Sequence, residues 1–239
     1  MSDPQVALVT GASSGIGQTT ARMLAENGYF VGMAARRRER LDALARELGE
    51  HGLPLQCDVT EEGQVRAAVQ ELLDWRGRID VLINNAGVMR IGPFLDQPQA
   101  NDRLHVETNL LGPRRMLRAV LPVMVRQGAG IVVNVSSILG RFSRPGAAVY
   151  IATKAGLIAL SDALRKEFAR RNIRFVVVEP GMVRTELHPP EEFEQAIHAA
   201  GIPKPLEPAE IAAAVLYVLQ QPEHVAISEI TIRPVTQEL

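Results

Sequence analysis

The sequence predicts one α/β domain in which helices cover both faces of a mainly parallel sheet. Short runs rich in β-branched residues alternate with longer helical patterns from end to end, which is typical of successive βαβ units. Most of these runs are almost continuously apolar, as expected for strands that are buried on both faces. With 239 residues, the chain has the length of a single α/β domain, so we treat residues 1–239 as one domain.

Seven short apolar runs are the predicted strands, and amphipathic helical patterns lie between them. In the first two of these patterns, Met23, Leu24, Leu41 and Leu44 recur with the spacing of one helix face. The predicted strands cover residues 5–10, 29–34, 53–57, 79–84, 130–135, 173–179 and 228–233.

The alternation is interrupted at residues 186–208, which we call the lid segment. Several prolines surround a short helical pattern that carries many charges. A long connection inside a compact domain is usually functional. We therefore expect this segment to leave the domain and cover a site as a lid.

The bulk properties favour a small molecule as the partner. The formal net charge is −1, so no overall field attracts nucleic acid or an anionic membrane. No basic region precedes a long apolar stretch at the N-terminus, and we expect a cytoplasmic protein. Cys57 is the only cysteine, and the five histidines have no ligand spacing, so we predict no metal and expect the histidines to be solvated or to cap helices.

A glycine-rich turn follows the first predicted strand and opens the first helix. In residues 10–17 (TGASSGIG), three glycines stand where the backbone must turn tightly and approach a ligand. Backbone N–H groups and the helix dipole would bind a pyrophosphate there. The residues assigned to this phosphate site are Gly11, Ser13, Ser14, Gly15, Ile16 and Gly17.

The same turn also fits the G-x-S-x-G elbow of serine hydrolases, with Ser13 as the nucleophile. That elbow needs an N–H group from an upstream strand-to-helix loop, but only about ten residues precede this serine. A serine hydrolase is therefore the remote alternative.

The residues after the second predicted strand favour NADP(H) over NAD(H). A free ribose 2′-hydroxyl is usually held by a carboxylate at this point, whereas a 2′-phosphate needs a cation. The chain has Arg36, Arg37 and Arg38 here, with no carboxylate. Three cations at a helix N-terminus oppose the helix dipole by roughly 0.3–1 kcal/mol each, and a bound anion would remove that conflict. Arg36 is the first candidate for the phosphate and Arg37 the second.

Tyr150 and Lys154 are the candidate acid/base pair. They stand four residues apart in a helical segment, so both project from one face. An ammonium about 4 Å from a phenolate, at an effective dielectric of about 20, would stabilise it by on the order of 4 kcal/mol. We therefore expect Lys154 to lower the pKa of Tyr150 towards the range that is useful for proton transfer at neutral pH.

An ordered set of motifs resembles the short-chain dehydrogenase/reductase family over residues 6 to about 187. The motifs are TGASSGIG, Asp58-Val59, Asn84-Asn85-Ala86-Gly87, Ser136-Ser137, Tyr150-Ile151-Ala152-Thr153-Lys154 and Pro180-Gly181. The resemblance implies a doubly wound Rossmann fold with seven strands in the order 3-2-1-4-5-6-7. It also implies a homodimer or homotetramer that is formed through helices around 101–127 and 147–170.

The resemblance assigns roles to four catalytic residues. Tyr150 is the acid/base, and Lys154 binds the nicotinamide ribose while it lowers the tyrosine pKa. Ser137 hydrogen-bonds the substrate oxygen, and Asn109 completes a proton relay through water. Asn109 also stands beside Gly112-Pro113, where it could bend its helix.

The resemblance also places the remaining cofactor contacts. Asp58 and Val59 would contact the adenine, and three residues after the fourth strand would line the adenosine side, namely Asn85, Ala86 and Gly87. The wall of the nicotinamide pocket would consist of Pro180, Gly181, Val183 and Thr185.

These motifs predict an NADP(H)-dependent oxidoreductase that acts on CH–OH groups and works as a reductase of aldehydes or ketones. The alternative from another class is a protein that senses NADP(H) without turnover, although such a protein has no need for the complete catalytic set. Apolar residues beside the site, among them Met89 and Ile138, predict an apolar pocket. Arg90, Arg141 and Arg144 could receive an anionic group or face water, and Glu186 and His188 of the lid segment are possible substrate contacts.

Overall fold

The seven apolar runs form one sheet in which all neighbouring strands are parallel. The structure is a computed structural model that describes residues 4–238. The strand order is β3-β2-β1-β4-β5-β6-β7, which confirms the predicted order. The strands are β1 (Val6–Thr10), β2 (Phe30–Ala35), β3 (Gly52–Gln56), β4 (Val81–Asn84), β5 (Gly130–Val135), β6 (Ile173–Pro180) and β7 (Glu229–Ile232).

Helices cover both faces of this sheet, as the fold class predicts. They are α1 (Gly15–Glu26), α2 (Arg38–Leu48), α3 (Glu62–Arg76), α4 (Gln99–Val106), α5 (Gly112–Gln127), α6 (Ala148–Phe168), α7 (Pro190–Ala199) and α8 (Pro208–Leu219). The predicted strand bounds differ from the observed ones most clearly at the start of β4. There the side chain of Gln127 in α5 binds both backbone groups of Ile79, so the strand begins only at Val81.

Two apolar cores explain why the strands are almost continuously apolar. In β1, Ala7 and Val9 contribute to the core under α1, α2 and α8, whereas Val6 and Leu8 contribute to the core under α3, α5 and α6. Each residue of β1 is buried. Because successive side chains of a strand point to opposite faces, both sets must be apolar, and each fully buried Val or Leu contributes about 1.5–3 kcal/mol.

The strand order reverses between β1 and β4, and this reversal positions the site. β1 pairs with β2 on one side and with β4 on the other. In open α/β sheets, ligands bind in the crevice at the carboxyl ends of the strands beside such a reversal. The glycine-rich turn after β1 and the Asn85–Gly87 loop after β4 therefore lie on the two sides of that crevice.

The lid segment leaves the sheet after β6 and returns before α8. Its two ends are joined by backbone hydrogen bonds, from Arg184 N to Leu206 O at 2.8 Å and from Leu206 N to Met182 O at 2.9 Å. Phe193, Ile197 and Ile202 form a small apolar cluster of their own. The predicted excursion is present, and its function as a lid stays a prediction.

Two kinds of feature are absent from residues 4–238. None of the helices in that range combines the length and apolarity that are needed to cross a membrane. Likewise, no group of three or more His, Cys, Asp or Glu side chains in the described residues is arranged to hold a metal ion. Cys57 is buried as a free thiol, and burial raises its pKa to about 11.

Candidate active site

The glycine-rich turn is packed so closely that side chains are excluded from it. Gly11 and Gly15 have φ angles of 68° and 54°, which only glycine adopts without strain. A Cβ atom at Gly17 would lie 2.5 Å from Gly11 O and 2.5 Å from Asn85 Nδ2. The side chain of Asn85 also donates to Thr10 O, which ties the turn to the loop after β4.

The N-terminus of α1 opens at this turn without a side-chain cap. Ser14 is the N-cap residue, but its hydroxyl does not bind the backbone of the helix. The first N–H groups of a helix lack intrahelical partners, and the helix dipole places partial positive charge there. The turn thus has uncapped backbone donors of the kind that bind a phosphate group.

Arg37 is the arginine that lies against this turn. Its Nε atom donates to Ser13 Oγ at 3.1 Å, and its Nη2 atom donates to Ser14 Oγ at 2.7 Å. The side chain of Arg36, in contrast, is exposed and has no hydrogen bond or ion pair with other described residues. Arg36 was the first candidate for the 2′-phosphate and Arg37 the second, and of these two it is Arg37 that lies against the glycine-rich turn.

The predicted adenine and adenosine contacts are the residues that follow β3 and β4. Asp58 Oδ1 accepts hydrogen bonds from the backbone and hydroxyl of Thr60, at 2.9 and 2.8 Å, which fixes the turn after β3. Val59 is buried and packs closely on Gly112 at the start of α5. The backbone N–H groups of Asn85 and Ala86 donate to the hydroxyl of Thr10.

Ser137, Tyr150 and Lys154 come together at the carboxyl end of β5. Ser137 follows that strand and begins a short 3₁₀ turn by accepting a hydrogen bond from Leu139 N. Tyr150 and Lys154 lie on α6, and each is only 5% exposed. The Lys154 ammonium donates to Val135 O at 2.9 Å and lies 5.7 Å from the centre of the Tyr150 ring.

Burial dominates the proton affinities of this pair. It raises the pKa of Tyr150 to about 12, and an interaction with the Ser137 hydroxyl only partly opposes that shift. Burial also lowers the pKa of Lys154 to about 8. The expectation that Lys154 lowers the tyrosine pKa towards neutrality is therefore wrong for this structure. The physical reason is that loss of hydration disfavours both charged forms, while the ammonium is directed at Val135 O.

Asn109 lies next to this cluster at a local break in helical geometry. Residues Glu107–Leu111 form a π turn between α4 and α5. Pro113 has no N–H to donate to the carbonyl four residues earlier, which favours this wider turn. The Asn109 amide bonds Val88 in both directions, donating to Val88 O and accepting from Val88 N at 2.9 Å each. The helix is locally widened where a bend was predicted, and the Asn109 side chain anchors the loop after β4.

His105 is a residue of the site that sequence reasoning missed. It was expected to be solvated or to cap a helix, but it is 3% exposed, and its ring meets the Tyr150 ring edge-on at 6.1 Å. His105 Nε2 accepts a hydrogen bond from Arg90 N at 2.9 Å, and burial lowers the pKa of the ring. The signal was available, since His105 precedes Asn109 by four residues and therefore shares its helix face.

The predicted wall of the nicotinamide pocket follows β6. Gly181 N donates to Ile232 O, and a Cβ atom at Gly181 would collide with Gln237 and Arg233 of the C-terminal residues. Thr185 packs against Gly15 of the glycine-rich turn, because a Cβ atom at Gly15 would lie only 3.2 Å from the methyl group of Thr185. The predicted wall of the nicotinamide pocket and the glycine-rich turn are therefore neighbours, as a single cofactor site requires.

Two residues that were candidates for substrate contact have other partners. Arg141 binds the buried carboxylate of Glu179 at 2.9 Å and the exposed carboxylate of Glu229 at 2.5 Å, so it is not free to receive an anionic substrate. Glu186 pairs with Arg37 and Arg40. Met89 and Ile138 are buried beside the site, consistent with an apolar pocket.

Comparison of the sequence with known proteins shows a matching family model and similar oxidoreductases. The family model described as short chain dehydrogenase matches residues 5–195. Similar proteins include an uncharacterized oxidoreductase of Staphylococcus haemolyticus, 38% identical over 232 residues and 97% of each chain. Another, of Staphylococcus aureus, is 36% identical over 235 residues and 97% of each chain.

Solved structures of similar proteins include two with a nicotinamide nucleotide. An alcohol dehydrogenase of the archaeon Thermococcus sibiricus, complexed with 5-hydroxy-NADP, superposes with a TM-score of 0.87, 31% identity and 99% coverage of both chains. The closed form of a serine dehydrogenase complexed with NADP+ gives a TM-score of 0.90 and 33% identity, covering 98% of this chain and 97% of that one.

Proposed function

Since this chain belongs to the short-chain dehydrogenase family and is an oxidoreductase with a nucleotide-binding Rossmann fold, we propose that it is an NADP(H)-dependent carbonyl reductase. It would reduce an aldehyde or a ketone to the alcohol, with Tyr150 as the proton donor. The observation that carries this proposal is the buried cluster of Ser137, Tyr150 and Lys154 at the carboxyl end of β5.

The glycine-rich turn has the chemistry of a dinucleotide site. The turn after β1 excludes side chains and presents helix N–H groups to a phosphate, and Arg37 supplies a cation beside it. When bound, NADPH would supply the hydride. The proposed contacts are Gly11, Ser13, Ser14, Gly15, Ile16, Gly17, Arg36, Arg37, Asp58, Val59, Asn85, Ala86, Gly87, Tyr150, Lys154, Pro180, Gly181, Val183 and Thr185.

NADP(H) is the proposed nucleotide for two reasons. Arg37 stands at the end of β2 against Ser13 and Ser14, and residues 36–38, which follow that strand directly, include no carboxylate. The similar alcohol and serine dehydrogenases were solved with 5-hydroxy-NADP and NADP+. One of these enzymes is named for an alcohol and the other for serine, which favours a CH–OH or carbonyl compound as the substrate class here.

The protonation states of the cluster favour reduction. With a pKa of about 12, Tyr150 carries its proton at neutral pH and can donate it to a carbonyl oxygen that becomes negative as hydride arrives. The hydroxyl of Ser137 would donate a second hydrogen bond to that oxygen. Lys154 would hold the nicotinamide ribose, and Asn109 would position the loop after β4 and complete a relay for the proton through water.

The hydrolase alternative lacks a base in this structure. The hydroxyl of Ser13 is bound by the guanidinium of Arg37, which keeps its proton in proteins and has no acceptor atom.

The lid segment is proposed to close over the substrate, and a homodimer or homotetramer is the proposed assembly.

The test compares turnover by the wild type with turnover by a variant that lacks the proposed proton donor. NADPH and NADH oxidation would be followed by the absorbance of the reduced nicotinamide over a panel of aldehydes, ketones and 3-keto acids. We expect turnover with NADPH, and we expect Tyr150→Phe to reduce kcat by about 10²–10⁴-fold, the usual contribution of a general acid. Nucleotide binding should be retained, because the ring stays in place.

Each other result separates an alternative. Full activity in Tyr150→Phe contradicts the assigned role of the tyrosine. NADPH binding without turnover of any carbonyl in the panel favours the nucleotide sensor. Failure of the wild type to bind either nucleotide contradicts the proposed function as a whole.

A further inference from the structure

The first residue of the lid segment lies in the cationic part of the proposed cofactor site. Glu186 Oε2 accepts a hydrogen bond from Arg37 Nη1 at 2.8 Å, and Glu186 Oε1 accepts one from Arg40 Nη1 at 2.6 Å. The contact joins residues 149 positions apart, so it is a tertiary feature and not a local helix pair. Both carboxylate oxygens are therefore engaged by arginine.

This carboxylate occupies the donors that a phosphate would use. Arg37 donates to Ser13 through Nε and to Ser14 through Nη2, and its Nη1 atom, which an anion could bind, is bound to Glu186. Arginine binds phosphate and carboxylate through the same planar set of donors. Glu186 stays ionised at neutral pH, because Arg37 and Arg40 hold its pKa below the usual value.

We propose that Glu186 is a residue that determines cofactor specificity, because its carboxylate competes with the 2′-phosphate of NADP(H) for Arg37 and Arg40. This inference rests on the proposed function, which places the 2′-phosphate at Arg37. NADP(H) must displace the carboxylate from Arg37 and Arg40, whereas NAD(H) leaves both ion pairs intact. Glu186 thus narrows the difference in affinity between the two nucleotides.

The same contact links the cofactor to the lid segment. Thr185 packs on the glycine-rich turn, and the next residue, Glu186, forms ion pairs with Arg37 and Arg40. A 2′-phosphate that takes these two arginines releases the first residue of the lid segment from them. Arg40, which has no assigned role in the family resemblance, becomes a further cation of the 2′-phosphate site.

The size of the effect follows from the exposure of the three side chains. They are 39%, 43% and 54% exposed for Arg37, Arg40 and Glu186, so each ion pair is a surface pair. Exposed pairs of this kind change an equilibrium by about fivefold or less each. Removal of the competing charge should therefore tighten 2′-phosphate binding by about three- to tenfold.

The experiment measures nucleotide binding to the full chain by calorimetry. The probes are adenosine 2′,5′-bisphosphate and adenosine 5′-monophosphate, which differ only in the 2′-phosphate. The test variant is Glu186→Gln. The matched control is Glu194→Gln, which removes a carboxylate of similar exposure from the same segment, where it pairs with Arg184. We expect Glu186→Gln to tighten the bisphosphate by about three- to tenfold, with no change for the monophosphate and no effect of Glu194→Gln.

The other outcomes distinguish this inference from the proposed function. If the wild type prefers the bisphosphate but Glu186→Gln leaves that affinity unchanged or weaker, the competition is contradicted and the NADP(H) proposal stands. If Glu194→Gln tightens the bisphosphate equally, the effect is one of overall charge and the inference fails. If the wild type and Glu186→Gln both bind the two probes equally well, the NADP(H) preference and the inference fail together.

Discussion

The two ionisable side chains at the centre of the site are both almost inaccessible to water. Tyr150 is held neutral with a pKa of about 12, and the pKa of Lys154 falls to about 8. Both shifts have the same first cause, because burial disfavours a phenolate and an ammonium alike. Desolvation therefore keeps Tyr150, the proposed proton donor, in its protonated form, and Lys154 carries an energetic cost while it is charged.

This cost predicts how stability depends on pH at Lys154. Its pKa is about 8 in the folded chain and 10.5 as the reference for the unfolded chain. Between these values the unfolded state binds more protons, so the contribution of Lys154 to the free energy of unfolding rises with pH. Relative to Lys154→Met, the wild type should gain roughly 2 kcal/mol between pH 7 and pH 10.

The measurement is urea unfolding of both proteins at the two pH values. The difference between wild type and Lys154→Met isolates this lysine from Tyr150 and Cys57, whose raised pKa values act in the opposite direction at high pH. A difference that stays constant with pH would contradict the burial argument.

The turn between β1 and α1 shows how one element can require glycine for packing rather than for backbone conformation. Gly11 and Gly15 have positive φ angles, but Gly17 does not. Gly17 is required because Gly11 O and Asn85 Nδ2 occupy the place of its Cβ atom. The close approach holds the helix N-terminus near the loop after β4, so the packing of this turn positions the backbone N–H groups that we propose as phosphate donors.

We predict that Gly17→Ala destabilises the protein by about 1–3 kcal/mol, as expected for one extra carbon in a closely packed place. It should also weaken NADPH binding, because the turn must open. Gly63→Ala is the matched control, since Gly63 lies in α3 with nothing within 4 Å of its Cβ position. That change should stabilise the protein by about 0.5–1 kcal/mol. Urea unfolding and calorimetry test both, and equal stability of the two variants would contradict the packing argument.

One face of α6 remains open to solvent over most of the helix. Ala148, Ala152 and Ala159 are exposed, and Ala155 is partly exposed. Small residues on an exposed helix face permit close approach of another helix. Phe94 and Leu95, which precede α4, are 66% and 92% exposed. Exposed apolar side chains near such a face favour an interface between copies of the chain, in agreement with the assembly that the family resemblance implies.

We predict that the wild type is a dimer or a tetramer and that Ala152→Arg lowers its mass in solution. A large charged side chain on α6 would block close helix packing at small cost to the fold, because the position is exposed. Ala43→Arg on α2 is the control, since this exposed alanine lies outside the predicted interface. Light scattering after size exclusion measures the mass. A monomeric wild type, or equal masses of all three proteins, would contradict the prediction.

Local patterns in the sequence determined the strands, the glycine-rich turn and the placement of Tyr150 and Lys154 on one helix. These features depend on residues that are near each other in the chain: apolar runs for buried strands, glycines for a tight turn, and a spacing of four for one helix face. For this reason the seven strands were predicted correctly from local patterns, and the strand order that the family resemblance implied is also confirmed.

The tertiary structure alone decided the energetics and the long-range contacts of the site. The raised pKa of Tyr150 depends on how many atoms from other elements exclude water from the ring, which spacing within α6 does not encode. His105 is buried because α4 packs on α6. Arg37 rather than Arg36 contacts the glycine-rich turn, because the end of β2 lies beside that turn. The contact of Glu186 with Arg37 spans 149 residues. Burial and ion pairing are properties of the assembled molecule, so they become defined only when distant segments pack together.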